Sequence, residues 1–454
     1  MGLPDKRTHR TGSANEAEVA GDSNDRSKGQ SELTPFKIAL AGLLCLATAM
    51  GIGRFAFTPL LPMMLNDGVI DLLGASVLAS ANYLGYLVGA LLCTFQPWLW
   101  RYLGRRFGWL PQVAASTWVR AGLAATSLLT LGMALHVPAL WPVLRFVAGV
   151  ASAFVFIFTS GWCLSQLAAQ HASRLGGVMY AGPGAGIAFS GLLASGMVSL
   201  HASAAAGWLV LGVLACGLTA LVWPVFDRTA TASTLTSAMS STAPGSSASG
   251  NTERTTAAAG RKQMLLLALA YGLAGFGYII TATFLPVIAR QALPGSRWLD
   301  MFWPLFGLAV MAGALLTTRL SLKGDLRYLL AGCYGVQALG VGVTVWSPTL
   351  FGFVAGSLLL GIPFTAITFF AMQEVRRLRP DAMSSHMGLL TAVYGLGQIA
   401  GPPLVAVLLR RSASVGEGFT LSLEVAAATL VTGAVMYLWI ARAYPVAISP
   451  EMKS

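Results

Sequence analysis

The chain has 454 residues, of which 55 % are hydrophobic and 10 % are charged, and its formal net charge is +12. Soluble domains carry about 25 % charged residues, so this composition excludes an ordinary soluble protein and indicates a membrane protein. The basic residues stand in short segments between long apolar runs, which favours orientation signals over nucleic-acid binding. The five cysteines lie in apolar runs without metal-ligand spacing, so we expect no metal and no cofactor.

The order of apolar runs along the chain predicts an all-α membrane protein with twelve transmembrane helices. Each run can cross a hydrocarbon layer of about 30 Å, and at that depth its backbone has to be helical. The predicted spans are 36–64, 72–96, 110–135, 139–168, 174–199, 204–226, 263–289, 298–320, 326–346, 349–373, 385–410 and 419–442.

The polar segments divide these spans into two groups of six. Residues 1–35 predict a disordered tail and not a signal peptide, because no short apolar core follows a basic start. Residues 227–262 include a Ser- and Gly-rich run and predict a flexible linker. We therefore expect an N-terminal six-helix bundle at 36–226, a C-terminal bundle at 263–442 and a short tail at 443–454.

Lysine and arginine counts predict the orientation. With the N-terminus inside, 22 of the 29 basic residues fall in inner segments and four in outer loops. This bias places both termini and the linker in the cytoplasm, and we expect a bacterial inner membrane. The remaining three, Arg54, Arg120 and Arg145, lie within predicted helices.

Two sequence elements recur at a constant separation of 224 residues. GIGRFAFTPLLP at 51–62 corresponds to GFGYIITATFLP at 275–286, and GALLCT at 89–94 corresponds to GALLTT at 313–318. A constant separation through two elements indicates that the bundles are copies of one unit. The copies differ most at Arg54, whose counterpart is Tyr278.

Several patterns in this order resemble the major facilitator superfamily over about 36–442, and most closely its YbfB/YjiJ-type branch. Leu103-Gly104-Arg105-Arg106 resembles the end of the superfamily's Gly-x-x-x-Asp-Arg-x-Gly-Arg-Arg loop, although Pro97 and Arg101 replace its Gly and Asp. Arg145-Phe-Val-Ala-Gly149 resembles an Arg-x-x-x-Gly pattern of the fourth helix, and Gly182-Pro183-Gly-Ala-Gly186 a Gly-Pro pattern of the fifth. The resemblance implies two pseudo-symmetric bundles and coupling or gating roles for these segments.

The glycines of the fifth span allow two helix backbones to approach closely, and Pro183 removes one helix hydrogen bond. These residues serve either tight packing alone or a contact surface between helices that moves during transport. The eleventh span carries a similar set of glycines and prolines. One of the two interpretations is therefore that equivalent helix contacts in the two halves move during transport.

The three membrane-depth arginines are the main candidates for chemistry, because each costs at least ~2.5 kcal/mol to insert and cannot lose its proton. Arg54 lies about 12 Å from the outer helix end, too deep to reach water comfortably. It either binds an anionic group of a substrate in a central cavity or fixes packing through a carbonyl or carboxylate. For Arg145 and for Arg120, a structural role and a functional role are likewise both open.

No aspartate or glutamate lies at mid-depth, because Asp300 and Glu424 are near outer helix ends and Glu374 near an inner end. The cavity is therefore expected to be positive, and Glu424 is retained only as a proton-carrier candidate. Polar and aromatic residues that could complete the substrate pocket are Tyr278, Asn82, Tyr83, Tyr394 and Gln398.

These observations predict a secondary active transporter, not an enzyme, that moves a small and preferentially anionic organic solute by alternating access. The expected partners are the solute, membrane lipid and a coupling ion such as a proton, and the expected state is a monomer. The alternatives are a drug/proton efflux antiporter and a receptor or scaffold on a transporter fold.

Overall fold

The computed structural model describes Gly2 and residues 33–107, 113–239, 252–293, 301–320 and 324–445. The described ranges are helical apart from their turns. The first span consists of α1a (Pro35–Leu46) and α1b (Phe57–Asn66). The helices that follow are α2 (Leu72–Phe107), α3 (Ala115–Gly132), α4 (Trp141–Ala169), α5 (Gly176–Ser199), α6 (Ala204–Met239), α7 (Thr252–Ala292), α8 (Phe302–Thr317), α9 (Leu326–Trp346), α10 (Leu350–Leu378), α11 (Met383–Arg411) and α12 (Val415–Ala443).

Every predicted span contains a helix, and ten segments within the described ranges are long and apolar enough to cross a membrane. The chain is therefore an integral membrane protein. Neither α3 nor α8 is among these ten, because α3, at 18 residues, is long enough but less apolar and α8 is an apolar helix that is shorter.

Several helices extend beyond their predicted ends. α2 continues through Pro97 to Phe107, so the basic segment at 103–106 is helical and not a loop. Arg105 and Arg106 form its last turn, where basic side chains complement the helix dipole. α6 reaches Met239 and α7 begins at Thr252, so both enter the predicted linker. Three successive alanines in the first turns of α7 favour this extension. The Ser-rich part of the linker, most of the N-terminal tail and residues 446–454 lie outside the described ranges.

Helix packing repeats between the two halves of the chain. α2 packs on α4 as α8 packs on α10, α3 packs on α4 and α6 as α9 packs on α10 and α12, and α1 packs on α5 as α7 packs on α11. A Cβ on Gly89 would lie 2.8 Å from the Val150 carbonyl oxygen, and one on Gly313 would overlap that of Ile362. The recurring glycines therefore serve the same close contact in each half.

Most of the packing between the halves involves two pairs of helices, α5 with α8 and α2 with α11. We call the end of the bundle that carries the start of α1a and the end of α12 the termini side. There the Ser385 hydroxyl donates to the Thr94 carbonyl at 2.5 Å, and the Gln373 amide donates to the Ser173 carbonyl at 3.2 Å. The halves are therefore in contact on the termini side.

Candidate functional site

The first span is interrupted close to its predicted functional residue. α1a passes into a π-helical turn at Ala47–Ile52, and the chain turns through residues 53–56 before α1b begins. Pro59 has no N–H to offer the Phe55 carbonyl, which accepts from the Thr58 N–H at 3.2 Å instead. The interruption leaves carbonyl groups near Arg54 that need other donors, because buried backbone groups are costly to leave unpaired.

Arg145 of α4 supplies these donors. The residue is 3 % exposed, and its Nη1 and Nη2 donate to the carbonyl oxygens of Gly53 and Arg54 at 3.1 and 3.2 Å. The planar fork of an arginine suits two neighbouring carbonyls. Asn82 of α2 in turn donates its Nδ2 to the Arg145 carbonyl at 3.0 Å. Arg145 therefore clamps the interruption, and the Asn82 amide faces α4.

Glycines bring α5 against the same segment. A Cβ added to Gly51 would lie 2.4 Å from the Gly186 Cα, and one added to Gly182 would lie 2.2 Å from the Leu43 carbonyl oxygen. On another face of α5, a Cβ on Gly184 would lie 2.5 Å from the Met311 nitrogen of α8. These contacts explain the glycines by close packing, and a role in movement stays a prediction.

The Arg54 side chain extends from the interruption to the opposite half of the protein. It is 3 % exposed, and its Nη2 donates to Oε1 of Gln398 on α11 at 2.5 Å. Its Cζ lies 3.8 Å from the ring centroid of Tyr86 and 5.5 Å from those of Tyr83 and Phe55. A desolvated cation over an aromatic face gains about 2 kcal/mol. The aromatic faces therefore supply part of the stabilisation that the buried guanidinium does not receive from water or lipid.

The Arg54 guanidinium is only partly satisfied. Its Nε is buried and has no hydrogen-bond partner. Within the described ranges, the ion pairs are confined to a cluster of Asp325, Arg327, Glu374 and Arg377, and none involves Arg54 or Arg145. The centre of the protein therefore holds positive charge without a described carboxylate to balance it.

A central cavity adjoins Arg54 and has a volume of about 30 Å³. That is room for one or two water molecules, which is too little for an organic solute. Both halves of the chain line it. The lining residues are Met50, Arg54, Phe55, Tyr86, Phe156, Tyr180, Pro183, Tyr271, Phe364, Thr365, Thr368, Thr391, Tyr394 and Gln398.

The structure brings together Arg54, Gln398, Tyr394 and Pro183 of the predicted site, with the half-buried Tyr83 beside the guanidinium. Tyr278 is 1 % exposed but is not among the lining residues. Its ring lies 4.4 Å from that of Phe364 and 6.3 Å from that of Phe306. The residue that meets Arg54 from the opposite half is therefore Gln398.

The other predicted residues lie away from this cavity. Arg120 is half-buried, and its Cζ lies 4.3 Å from the ring centroid of Trp223 on α6. Glu424 is exposed on α12, and Arg105 and Arg106 are exposed at the end of α2, in the helical turn that includes Gly104. Asp300 lies outside the described residues.

Sequence reasoning missed several lining residues, and the nearest of them to Arg54 is Tyr86. It lies three positions after Tyr83 on α2, and this helical spacing places both rings on one face beside the guanidinium. Phe364, Thr365 and Thr368 on α10 carry no comparable signal, because an aromatic or threonine within an apolar run is ordinary packing.

Comparison with known proteins gives one family. A family model described as an uncharacterised MFS-type transporter, YbfB, matches residues 46–438. The match covers both halves of the duplicated unit and the interrupted first span from its π-helical turn onward. No curated protein matches the chain.

Proposed function

Since this chain belongs to the YbfB family of MFS-type transporters, we propose that it is a secondary active transporter that carries a small organic anion. The expected mechanism is alternating access around a single site between two six-helix bundles. Arg54 binds the anionic group of the solute, and the aromatic residues of the cavity surround the rest.

The observation that carries this proposal is the state of the Arg54 guanidinium. It is buried, its Nε has no partner, and the described part of the chain offers it no carboxylate. An anionic solute supplies both the missing charge and the missing acceptor, and charge-assisted hydrogen bonds are the stronger ones. A cationic drug would instead meet repulsion in this cavity.

The small cavity supports a cycle in which the protein has to open before a solute enters. Contacts on the termini side, such as Ser385 with Thr94, close one path along the junction of α2 and α11. α5 and α8 pack with small residues between them, so the two halves can separate by moving as units. Opening at alternate sides would expose Arg54 first to one compartment and then to the other.

The orientation in the membrane follows from the charge distribution and forms part of the proposal. The basic residues favour a cytoplasmic termini side, and hence a bacterial inner-membrane protein with twelve spans. We further propose that it works as a monomer and that a proton is its coupling ion.

A two-stage experiment tests the proposal. Thermal unfolding of the purified protein is followed with organic acids, amino acids, sugars and cationic drugs, and stabilising compounds are then tested for uptake into proteoliposomes. We expect the stabilising compounds to be anions and to be taken up beyond the level of empty liposomes. Stabilisation by cationic drugs alone would contradict the anionic site, and binding without uptake would favour a receptor.

A further inference from the structure

We infer that the solute is an organic acid with one carboxylate and a flat aromatic body. The inference rests on the proposed function, because it specifies the class of anion that Arg54 takes. It excludes phosphorylated sugars, dicarboxylates and small hydroxylated acids such as lactate.

The number of available cationic groups sets the charge of the solute. Both terminal nitrogens of Arg145 donate to the carbonyls of the interrupted helix, and Arg145 does not line the cavity. Arg54 is therefore the one cation that lines it, among all described residues. A second carboxylate would be buried without a counter-charge, which is costly.

The hydrogen-bonding state of four of the cavity's hydroxyl groups disfavours a sugar-like body. Thr365 donates to the Val310 carbonyl at 3.2 Å and Thr391 to the Met387 carbonyl at 2.7 Å. The hydroxyls of Tyr271 and Thr368 are paired with each other at 3.0 Å. Among the lining hydroxyls, that of Tyr180 is buried without a partner and could bond one group of a solute. Because the four hydroxyls above already have partners, a solute rich in hydroxyls would lose most of its hydration without equivalent replacement.

Most of the remaining lining is aromatic, which favours a flat ring. Seven aromatic side chains line the cavity, namely Phe55, Tyr86, Phe156, Tyr180, Tyr271, Phe364 and Tyr394. Several already pack with one another, as Tyr271 does with Tyr394 at a centroid distance of 4.9 Å. Offset and edge-to-face contacts add to simple burial of apolar area, so an aromatic ring gains more here than an aliphatic ring of equal size.

Gln398 indicates where the carboxylate binds. Its Oε1 accepts from Nη2 of Arg54, while the Nε on the same edge of the guanidinium is unpaired. A carboxylate that displaces this amide oxygen would accept from Nη2 and Nε together, the bidentate geometry that suits arginine. Gln398 thus occupies the position of one carboxylate oxygen, and the solute has to break this contact between α1 and α11.

A matched set of probes tests the inference by thermal unfolding and by equilibrium binding to the full-length protein. Phenylacetate is compared with cyclohexylacetate, phenylacetamide, phenylethylammonium, phenylmalonate and lactate. We expect phenylacetate to give the largest stabilisation and the tightest binding, and cyclohexylacetate to bind more weakly. Arg54→Gln should weaken phenylacetate binding at least about tenfold, because it removes charge-assisted hydrogen bonds.

Two substitutions of Gln398 should act in opposite directions. Gln398→Glu places a carboxylate of nearly the same shape on Arg54, so phenylacetate should bind at least about tenfold more weakly. Gln398→Ala removes the competing acceptor, so phenylacetate should bind about fivefold more tightly. Thermal unfolding of each variant without ligand shows whether it is folded.

The outcomes separate this inference from the proposed function. If lactate or phenylmalonate binds more tightly than phenylacetate, and Arg54→Gln abolishes that binding, the solute is not an aromatic monocarboxylate. The proposed anion transporter would then stand. If cyclohexylacetate binds as tightly as phenylacetate, the requirement for an aromatic ring is overturned, and the requirement for a single carboxylate stands. Binding of phenylethylammonium without any anion would overturn both, and no stabilisation by phenylacetate in a folded protein would overturn the inference.

Discussion

The two copies of the duplicated motif show how one packing scheme supports different local chemistry. In residues 51–62 the helix is interrupted, Arg145 clamps its carbonyls, and Arg54 reaches the cavity. In residues 275–286 the helix α7 is continuous, and Tyr278 packs among aromatic rings. Gly51 packs on α5 as Gly275 packs on α11, whereas Gly53 meets α3 and Gly277 meets α12. The duplicated unit therefore keeps part of its packing and differs at the site.

Buried charge follows the same division. In the C-terminal half, Arg327 and Glu374 are fully buried and form one cluster with Asp325 and Arg377 near the termini side. Burial raises the pKa of the Asp325 carboxyl, but hydrogen bonds and charge from Arg327 outweigh burial and hold that pKa below its usual value. The buried charges of this cluster are thus paired with one another, whereas the buried Arg54 and Arg145 form no ion pair with a described carboxylate. We interpret the first set as structural and Arg54 as functional.

The largest expected effect on stability comes from breaking the paired cluster. Glu374→Gln removes the carboxylate that contacts Arg377 and lies 3.9 Å from Arg327. We expect a loss of about 3 kcal/mol, because it leaves buried positive charge without its partner. Denaturant unfolding in detergent measures it, with Arg411→Gln at an exposed helix end as the control. Unchanged stability would contradict a structural role for the cluster.

A loss of comparable size is expected when the clamp on the interrupted helix is removed. Arg145→Met leaves the carbonyls of Gly53 and Arg54 unpaired, at about 1–3 kcal/mol for each group. Arg145→Lys can still donate to one carbonyl and should restore part of the stability. If Arg145→Met is as stable as the wild type but inactive, Arg145 has a functional role beyond the clamp.

Alanine substitutions at equivalent glycines test whether packing is conserved between the copies. A Cβ would lie 2.4 Å from the Gly186 Cα when added to Gly51, and 2.4 Å from the Tyr394 carbonyl oxygen when added to Gly275. Both variants should lose about 1–3 kcal/mol through overpacking. Gly335→Ala is the control, because a Cβ there meets nothing within 4 Å. A large loss in one copy only would show that the packing has diverged as well.

The smallest effect is expected at Tyr278, where sequence symmetry predicts a contact with Arg54. Tyr278→Phe retains the ring that packs against Phe364 and Phe306. We expect uptake near the wild-type level and a stability change within about 0.5 kcal/mol. Strong loss of uptake in a stable variant would show that the Tyr278 hydroxyl serves the transported solute in another conformation.

Residue spacing and composition were sufficient to predict an all-helical membrane protein, the recurrence of its packing in two halves and the buried position of Arg54. They also placed Gln398 in the pocket, where its side chain bonds Arg54. Tyr278 does not line the cavity, because a sequence offset relates positions in two helices but does not fix the rotation of each helix. The role of Tyr278 in binding stays a prediction. The interruption near Arg54 depends on donors from α4, which lie 91 and 92 residues away in sequence and give no local signal.

Uptake by Arg54 variants in proteoliposomes tests the central claim most directly. With a transported organic acid, Arg54→Gln should lose nearly all uptake, and Arg54→Lys should lose most of it, because lysine keeps the charge without the forked donors. Arg120→Gln, at an arginine that stacks on Trp223 away from the cavity, should retain uptake. All three variants should unfold near the wild-type temperature. Normal uptake by folded Arg54→Gln would contradict the account, as would an unfolded Arg54→Gln beside a fully active Arg54→Lys.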